Sequence, residues 1–527
     1  MSTASLPAQD ERTLFGHPRG LFLLFLVEMW ERFSYYGMRG LLVLYLTTPL
    51  SGMVELPEGR LPGFNPGRGW SDGDGSTLYG WYTGLAYLLP LFGGVIADKL
   101  IGTHRSMVVG GILIAVGHIV LGVAGFPGLD TSSLGLAVFM GGLSLIVIGT
   151  GHFKPSVSVM VGQLYPEHDP RRDGAFSIFY MGINVGAFIC AFTCGTLGER
   201  VGWHWGFGSA AAGMIAGLLV YLWGRPTYLS KVGLARDEAL ASARAPLFLV
   251  GGTVASLVFA VAYYLGALKF IGGIMTPTVT MTGGVIVLGL AIWFVLSQPK
   301  EERGPVTSIF LFMLFNAVFW IAFEQAGSSV NLFTDRYTDR NIAGFVVPTT
   351  WFQSVNSAFV IALSPVFGGL WTFLAKRHMN PSQPAKIGIA LLLVGAGYIL
   401  MTIAGGVTLA HGAKASMMFV LGMYFVHTLG ELFISPTGLS YVSKVAPKKF
   451  MSLLMGIWFI SSFIANLGGG IVASKVDAIE KGTIKLPWHF GGQADFFFLF
   501  VVSSVGVGVL VLIATPWMKP LSAGRDD

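Results

Sequence analysis

The chain is poor in charged residues. Only 11% of its 527 residues are Asp, Glu, Lys or Arg, whereas a soluble globular domain carries about 25%. Apolar residues make up 53% of the sequence, and the mean hydropathy is +0.67. This composition excludes an ordinary soluble domain and predicts an all-α, polytopic membrane protein.

Cysteine and metal-binding motifs are scarce as well. The two cysteines, Cys190 and Cys194, lie one turn apart in an apolar segment, so we expect packing residues rather than a disulfide framework. No HExxH motif, catalytic Asp pair or Ser/His arrangement falls at membrane depth, and neither His152 nor His427 has metal-ligand spacing around it. The sequence therefore predicts no enzymatic activity, no bound metal and no organic cofactor.

Basic runs long enough to bind nucleic acid are also missing, although the formal net charge is +6. The excess of Lys and Arg indicates positively charged cytoplasmic loops instead. The N-terminal segment is polar, and the first apolar stretch carries Glu28 near its middle, so we expect no cleavable signal peptide.

Apolar runs separated by turn and charge signals predict fourteen membrane-spanning helices in a six, two, six arrangement. The first six are expected at about 21–48, 78–97, 106–126, 134–163, 173–198 and 205–224. A basic linker at 225–244 precedes two inserted spans at about 245–268 and 274–297. The last six are expected at about 306–333, 345–374, 384–405, 414–443, 449–474 and 494–517. We therefore predict an N-terminal six-helix bundle (1–224), a linker with two inserted helices (225–305) and a C-terminal six-helix bundle (306–527).

The distribution of Lys and Arg predicts the orientation of the chain. If the N-terminus is cytoplasmic, 20 of the 33 Lys and Arg residues lie in cytoplasmic segments and ten lie in external loops. The remaining three, Arg32, Arg39 and Lys154, lie within predicted helices. Because positive charge favours the cytoplasmic side, both termini are expected in the cytoplasm.

The first predicted helix carries more charge than its apolar flanks suggest. Four ionisable side chains share one stripe with two tyrosines at 3.6 residues per turn: Glu28, Glu31, Arg32, Tyr35, Tyr36 and Arg39. A charge at the bilayer centre costs at least about 2.5–3.5 kcal/mol on insertion scales, so these charges must pair or line water. The stripe favours a functional pathway that faces a cavity; an ion-pair cluster that only locks helices together is the alternative.

Three later helices carry isolated charges. Lys154 stands immediately before Pro155, which weakens the helix and leaves carbonyl groups that water can reach. Glu324 and Glu431 lie in the seventh and tenth bundle helices. Glu324 shares a helix face with Trp320, Ser328 and Asn331. Glu431 shares a helix face with Tyr424, His427 and Ser435. The eighth and eleventh bundle helices add Gln353, Asn356 and Trp458, for each of which core packing is the alternative to ligand contact.

The buried charges are partitioned between the two predicted bundles. The first holds Arg32, Arg39 and Lys154 with two glutamates, whereas the second holds only carboxylates, Glu324 and Glu431. Cationic and anionic sides that face one cavity suit a zwitterion, and the same groups can pair with each other to close a gate. A channel, or a carrier of another small anion or amino acid, is the alternative within membrane transport.

Two six-helix halves around a central site resemble the major facilitator superfamily, which places its sites at the midplane between repeats. The segment GGVIADKLIGTHRS (Gly93 to Ser106) resembles the G-x-x-x-D-x-x-G-(+) loop of that superfamily. In this interpretation Asp98 and Arg105 bracket a cytoplasmic turn.

Three further stretches carry a more specific resemblance. ExxERFSYYG (Glu28 to Gly37), FYMGINVGAF (Phe179 to Phe188) and GELFISPTGLSYVSKVAP (Gly430 to Pro447) resemble the proton-coupled oligopeptide transporters, the POT or PTR family. The resemblance implies a major facilitator fold and a symporter that imports di- and tripeptides by alternating access. It further implies that a proton gradient replaces any cofactor, and that a monomer works among the lipids of a bacterial inner membrane.

The same resemblance implies a set of substrate contacts. The peptide carboxylate would be attracted by Arg39 and Lys154, with Tyr36 and Tyr87 nearby. Glu431 and Asn356 would hold the peptide amino group and Asn184 the peptide backbone, while Trp320, Ser435 and Trp458 would line side-chain pockets.

Proton coupling and gating are assigned in the same way. The resemblance implies that Glu28, Glu31 and Arg32 form a coupling cluster, with Glu324 as a second proton-sensitive acid. The pairs Arg39–Glu324 and Lys154–Glu431 would close the outward side. We hypothesise that protonation of Glu324 frees Arg39 for the peptide, and that peptide binding loosens the Lys154–Glu431 pair.

One position departs from the animal members of the family. They carry a histidine on the second helix that is assigned to proton binding, whereas this chain has Gly80 at the matching place. Proton coupling is therefore expected to depend on the carboxylates. The helix-1 glutamates, which nitrate-carrying plant relatives often lack, favour a peptide as the substrate.

Overall fold

The computed structural model describes residues 13–50, 65–166, 169–267, 277–435 and 438–525. Within them, eleven helical stretches are long and apolar enough to cross a membrane. One of the eleven, Asp72–Val123, contains two successive helices. The charged first helix is a further long helix that is not counted among the eleven. The protein is therefore a multi-pass membrane protein, and the figure of fourteen spans stays a prediction.

The described residues of the N-terminal half, between 13 and 228, form seven α-helices. They are α1 (Arg19–Thr47), α2 (Asp72–Ile96), α3 (Gly102–Val123), α4 (Ser133–Gln163), α5 (Arg172–Cys190), α6 (Thr196–Arg200) and α7 (Trp203–Tyr228). A π-helical turn, Ala97–Ile101, joins α2 to α3, and a second, Ala191–Gly195, joins α5 to α6. α5, this turn and α6 together make the predicted fifth span.

Two further helices, α8 (Glu238–Tyr264) and α9 (Pro277–Leu296), occupy the predicted insertion. α8 packs against α3 and α4, where Ser256 donates to Ser144 at 3.2 Å between the hydroxyl oxygens. α9 lies against the other half, where the Phe294 ring contacts Phe310 and Phe450. The insertion is thus attached to both halves of the molecule.

Nine α-helices lie in the described part of the C-terminal half, between residues 300 and 525. They are α10 (Lys300–Phe323), α11 (Ser329–Tyr337), α12 (Thr349–Lys376), α13 (Gln383–His411), α14 (Met417–Ile434), α15 (Gly438–Val445), α16 (Met451–Ala473), α17 (Val476–Glu480) and α18 (Gly492–Met518). Short 3₁₀ turns cover Glu324–Gly327, Lys448–Phe450 and Lys519–Ser522. Pro436, where the sequence predicts a break in the tenth bundle helix, lies outside the described residues.

Strands are confined to short connections. Thr13–Leu14 pairs antiparallel with His17–Pro18, with Thr13 opposite Pro18. Asn341–Ile342 pairs antiparallel with Phe345–Val346. Thr338–Asp339 pairs in parallel with Ala415–Ser416, with Thr338 opposite Ala415. Each strand is two residues long, so the described fold is helical in character, as predicted.

The seventh bundle helix differs from the prediction. A continuous helix was expected over 306–333, but the α-helix stops at Phe323 and resumes at Ser329 after a 3₁₀ turn. Ser328 has φ −125° and ψ −98°, outside the helical region, which interrupts the backbone hydrogen-bond ladder. At Gly327 an added Cβ would collide with the Tyr79 hydroxyl. The break therefore lets this segment approach α2.

Each half has its own hydrophobic core, and glycines bring the helices into close contact. Tyr45, Phe139 and Phe207 are among the buried side chains of the first core, and Phe319, Tyr398 and Phe497 among those of the second. At Gly37, in the ERFSYYG motif, an added Cβ would lie 2.6 Å from Cys194 Sγ. The two cysteines are buried, free thiols, as the sequence predicts.

Gly80 of α2 and Gly470 of α16 join the two halves through their backbones. A Cβ at Gly80 would lie 2.9 Å from the Gly470 Cα atom and 3.2 Å from two carbonyl oxygens. Backbone atoms cannot rotate out of the way, so a side chain at this place would push α2 and α16 apart. This contact is the physical reason why the position has no room for a histidine in this conformation.

We expect Gly80→Ala to destabilise the protein by about 1–3 kcal/mol, as overpacking commonly does. The measurement is the thermal unfolding midpoint of the purified protein in detergent. Gly208→Ala is the matched control, since a Cβ there meets no atom within 4 Å and alanine is the better helix former. The control midpoint should be unchanged or slightly higher. An unaltered midpoint for Gly80→Ala would contradict the packing argument.

Candidate functional site

A cavity of about 430 Å³ lies between the two halves. Thirteen of the fourteen site residues named from the sequence line it: Glu28, Arg32, Tyr36, Arg39, Tyr87, Lys154, Asn184, Trp320, Glu324, Asn356, Glu431, Ser435 and Trp458. Glu31 is the exception, because its buried side chain packs beside Arg32. Residues separated by up to 430 positions in the sequence therefore line the same cavity.

The charged stripe on α1 forms a compact three-residue cluster. The Arg32 Nε atom contacts a Glu31 carboxylate oxygen and lies 3.2 Å from Glu28 Oε1. All three side chains are buried. Within the part of the chain that the structure describes, one carboxylate oxygen on each glutamate and one guanidinium nitrogen have no protein hydrogen-bond partner. Two carboxylates thus share a single guanidinium at the edge of the cavity.

Arg39, further along the stripe, joins the two halves. Its guanidinium forms an ion pair with Glu324 and donates from Nε to the Tyr79 hydroxyl at 2.5 Å. The carboxylate comes from the 3₁₀ turn that interrupts the seventh helix. The predicted Arg39–Glu324 contact is therefore present in this conformation, and it connects α1 to the broken helix.

Lys154 and Glu431 do not form a pair in this conformation. The Lys154 Nζ atom lies 3.7 Å from the centre of the Tyr87 ring, within cation–π range. Glu431 instead accepts from Asn356 Nδ2 at 2.8 Å and from the Tyr180 hydroxyl at 3.2 Å. Both of these donors are neutral, so neither of them forms an ion pair with the carboxylate. The ammonium and the carboxylate face the cavity from opposite halves.

Comparison with known proteins identifies the family of this chain. The family model described as POT family matches residues 104–488. The chain belongs to the POT family. It is 37% identical to the peptide transporter YePEPT of Yersinia enterocolitica over 481 residues, which cover 89% of each chain. It is 33% identical to a di-/tripeptide transporter of Lactococcus lactis, with 96% of each chain covered.

Solved POT structures have the same fold. A crystal structure of the peptide transporter POT in complex with sulfate is 32% identical, covers 98% of each chain and gives a TM-score of 0.78. A POT family transporter in complex with 5-aminolevulinic acid is 29% identical, with a TM-score of 0.77 and coverage of 97% of this chain and 99% of that one. The predicted family and its major facilitator architecture are confirmed, and membership in a transporter family agrees with the prediction that the protein is not an enzyme.

Several of the polar residues singled out in this POT chain do not line the cavity, among them His427 and Asn331. His427 Nε2 lies 3.0 Å from the Val394 carbonyl oxygen, and the ring packs against Tyr398. Asn331, beyond the helix break, donates to the Gly40 carbonyl at 3.0 Å. The expectation that Asn331 shares a face with Glu324 was wrong, because it assumed an unbroken helix. His152 does not line the cavity either. Its Nδ1 atom lies 3.1 Å from the Ser106 hydroxyl oxygen, so it forms a hydrogen bond, as expected from the sequence.

Several lining residues of the POT cavity were missed from the sequence. Tyr180 stands one turn before Asn184 in FYMGINVGAF, and this spacing is the signal that would have found it. Asn316, Ser462 and Asn466 also line the cavity. Within the described residues, Asn316 Nδ2 and Asn466 Oδ1 are buried without a protein hydrogen-bond partner. The cavity thus offers polar atoms as well as charges to a ligand.

The halves of the POT fold also touch at one end, which we call the closed end. It is formed by the contacts of α2, α5–α6 and α1 with α11 and the start of α12. Arg336 donates to both carboxylate oxygens of Asp72 at 2.6 and 2.8 Å. The Trp351 indole donates to Thr196 at 2.9 Å, and Arg200 donates to the Val346 carbonyl. The cavity is therefore sealed from this end by contacts between the halves.

The described residues contain no group of three or more His, Cys, Asp or Glu side chains arranged to hold a metal ion. The charged and polar side chains that line the cavity can recognise a ligand by charge and hydrogen bonds. Charged groups buried in a membrane protein pair with each other or mark a substrate or proton pathway. Here Arg39 and Glu324 form an ion pair at the boundary between the two halves, and Lys154 and Glu431 line the cavity.

Proposed function

We propose that this protein is a proton-coupled symporter that imports di- and tripeptides by alternating access. The observation that carries the proposal is the charge arrangement of the cavity: Arg39 and Lys154 face it from one half and Glu431 from the other. A short peptide carries a carboxylate at one end and an ammonium at the other, so it complements both sides at once. The names of the relatives in Yersinia and Lactococcus support the same substrate class.

Substrate binding follows from the contacts on each side. Among the described residues, the Lys154 ammonium lies over the Tyr87 ring and Glu431 accepts from neutral donors, so no ion pair joins these two charges. A peptide carboxylate near Lys154 and Tyr87 and a peptide ammonium near Glu431 and Asn356 therefore satisfy both. We place Tyr36 beside the carboxylate and Asn184 beside the peptide backbone. Trp320, Ser435 and Trp458 then line the space left for side chains.

Proton coupling is assigned to the carboxylates that contact arginine. Protonation of Glu324 removes the negative charge that holds Arg39, which frees the guanidinium for the peptide carboxylate. Loss of this ion pair also loosens one of the contacts between the halves. Glu28 and Glu31 both contact the Arg32 guanidinium, so one proton bound to either glutamate brings the net charge of these three side chains to zero. Movement of protons through these sites is thereby linked to opening and closing.

We further propose that the closed end faces the outside and that both termini are cytoplasmic, as the Lys and Arg distribution indicates. The structure then corresponds to a conformation sealed from the outside. A single chain supplies both sides of the cavity, so a monomer is sufficient for transport. The proton gradient across a bacterial inner membrane is the driving force.

Purified protein in proteoliposomes is expected to take up labelled dialanine, and to do so faster when the outside is acidic. The physical reason is the link between the peptide charges and the protonated carboxylates. Uptake is measured with and without the gradient, in competition with unlabelled trialanine, free alanine and nitrate. Inhibition by trialanine alone supports the peptide assignment. Absence of dialanine uptake by folded protein contradicts the peptide assignment. Uptake at the same rate with and without the proton gradient contradicts proton coupling.

A carrier of a small amino acid or another small anion is the second candidate. The observation in its favour is the related structure in complex with 5-aminolevulinic acid, a ligand with an amino and a carboxyl group but no peptide bond. The same uptake assay separates the candidates, since labelled 5-aminolevulinic acid is run beside dialanine. Uptake of that ligand without uptake of dialanine favours the second candidate.

A further inference from the structure

A buried acid at the closed end lies outside the cavity. Glu199 belongs to α6, directly after the π-helical turn Ala191–Gly195 that ends α5. Asn184, Ala191 and Gly195 line the cavity along the same face, and Glu199 follows Gly195 at helical spacing. The helix face that lines the cavity thus continues into the closed end. Glu199 lies on this face, one turn beyond Gly195.

The Glu199 carboxylate binds the opposite half of the molecule. One oxygen accepts from the Thr349 backbone N–H at 2.8 Å. The other accepts from the Thr350 backbone N–H at 2.8 Å and from the Thr350 hydroxyl at 2.7 Å. Glu199 is only 5% exposed. Among the described residues no Lys or Arg lies within ion-pairing distance of it, so its charge is stabilised by these three donors.

The start of α12 needs this acceptor. The first amide groups of a helix have no partner within the helix, and the residue before α12 is Pro348, whose side chain forms no capping hydrogen bond. A negative charge at a helix N-terminus is also favoured by the helix dipole. Glu199 supplies both the acceptor and the charge, and it does so from the other half of the chain.

Other contacts at the closed end are weaker candidates for this role. The Arg336 side chain is 38% exposed where it meets Asp72, and exposed ion pairs contribute little because water and salt screen them. Hydrogen bonds to a buried charge are about twice as strong as neutral ones. The Glu199 contact is moreover adjacent to Gly195, where an added Cβ would collide with the Thr350 hydroxyl. The helices therefore meet closely at this place.

We propose that Glu199 is a further gating residue, and that its bond to the start of α12 is a latch that holds the closed end shut and breaks in every opening. The inference rests on the proposed alternating access. When the halves separate, the Glu199 carboxylate and the two backbone N–H groups lose their hydrogen bonds to each other and form hydrogen bonds with water instead. The latch differs from the Arg39–Glu324 pair in that it needs no cation and lies away from the substrate.

The test measures opening directly, apart from transport. Nitroxide labels are placed on the two halves at exposed positions, Leu50→Cys and Ile342→Cys, and distances are recorded by pulsed EPR in reconstituted protein. Glu199→Gln is expected to raise the ratio of open to closed molecules about tenfold, since it weakens hydrogen bonds to a buried charge. Thr350→Val, which removes one of the three donors, is expected to give a smaller shift in the same direction.

Glu480→Gln is the matched control. Glu480 also accepts hydrogen bonds near the closed end, from Gln493 and Tyr337, but both of these belong to its own half. The control should leave the distances unchanged. Unchanged distances in folded Glu199→Gln, or equal shifts in Glu199→Gln and Glu480→Gln, overturn the proposal. If Glu199→Gln does not fold, an unshifted Thr350→Val overturns it. These distances do not depend on the substrate, so failed dialanine uptake leaves the result interpretable.

Discussion

Glu28→Gln and Glu31→Gln are each expected to abolish proton-driven uptake of dialanine while counterflow exchange continues. Both glutamates contact Arg32, and one guanidinium cannot neutralise two buried carboxylates. A proton on one of them restores the balance, whereas glutamine has no site for that proton. Counterflow exchanges labelled for unlabelled peptide without net proton movement, so it requires the cavity but not the coupling. Uptake is measured in proteoliposomes with the outside acidic.

The control for these variants is Glu238→Gln. Glu238 is also paired with an arginine, Arg105 at 2.6 Å, but it lies at the start of α8, away from the cavity. Its proton-driven uptake should be retained. Retained proton-driven uptake in both Glu28→Gln and Glu31→Gln would refute the coupling role. Loss of counterflow in folded variants would instead favour the alternative in which the cluster only locks helices together.

Lys154→Gln is expected to weaken dialanine binding by at least about 30-fold, because losing one partner of a desolvated charge contact costs 2 kcal/mol or more. The carboxylate of the peptide then enters a buried cavity with one fewer cation. Arg39 does not replace it while Glu324 is ionised, since the ion pair then holds that guanidinium. The dissociation constant is measured by calorimetry on detergent-solubilised protein, with dialanine as the ligand.

Lys386→Gln is the matched control for Lys154→Gln. The Lys386 ammonium also lies over an aromatic ring, that of Trp371 at 4.4 Å from its centre, but the residue does not line the cavity. Its loss should leave the dissociation constant for dialanine unchanged. Equal affinities for Lys154→Gln and the unchanged protein would remove Lys154 from the substrate site.

The spans and the charged residues of the cavity could be predicted because each contrasts with its surroundings. A run of apolar residues long enough to cross a bilayer identifies a helix, and Lys154, Glu324 and Glu431 stand out within such runs. Pairing is harder to predict. Arg39–Glu324 and Lys154–Glu431 are equally plausible from charge alone, yet only the first is formed in this conformation. Which of the two pairs forms depends on the distance between the two halves at the depth of each pair in the membrane.

The break in the seventh helix and the Glu199 contact could not be predicted for a different reason. Gly327 and Ser328 are tolerated inside membrane helices as well as at their breaks, so the sequence did not identify the 3₁₀ turn. Glu199 lies near the predicted end of the fifth span, where an acid usually faces water. Its partners are backbone amides, and no residue type in a sequence indicates those.

The contact between Gly80 and Gly470 has a consequence for how one transporter handles many cargoes. Glycine has no rotamers, so shutting this part of the protein freezes no side chain and costs no side-chain entropy. The surfaces that meet are the same whatever occupies the cavity, because neither glycine is among the residues that line it. This contact therefore contributes the same free energy to closure in each cycle, and differences between substrates arise from the groups that line the cavity.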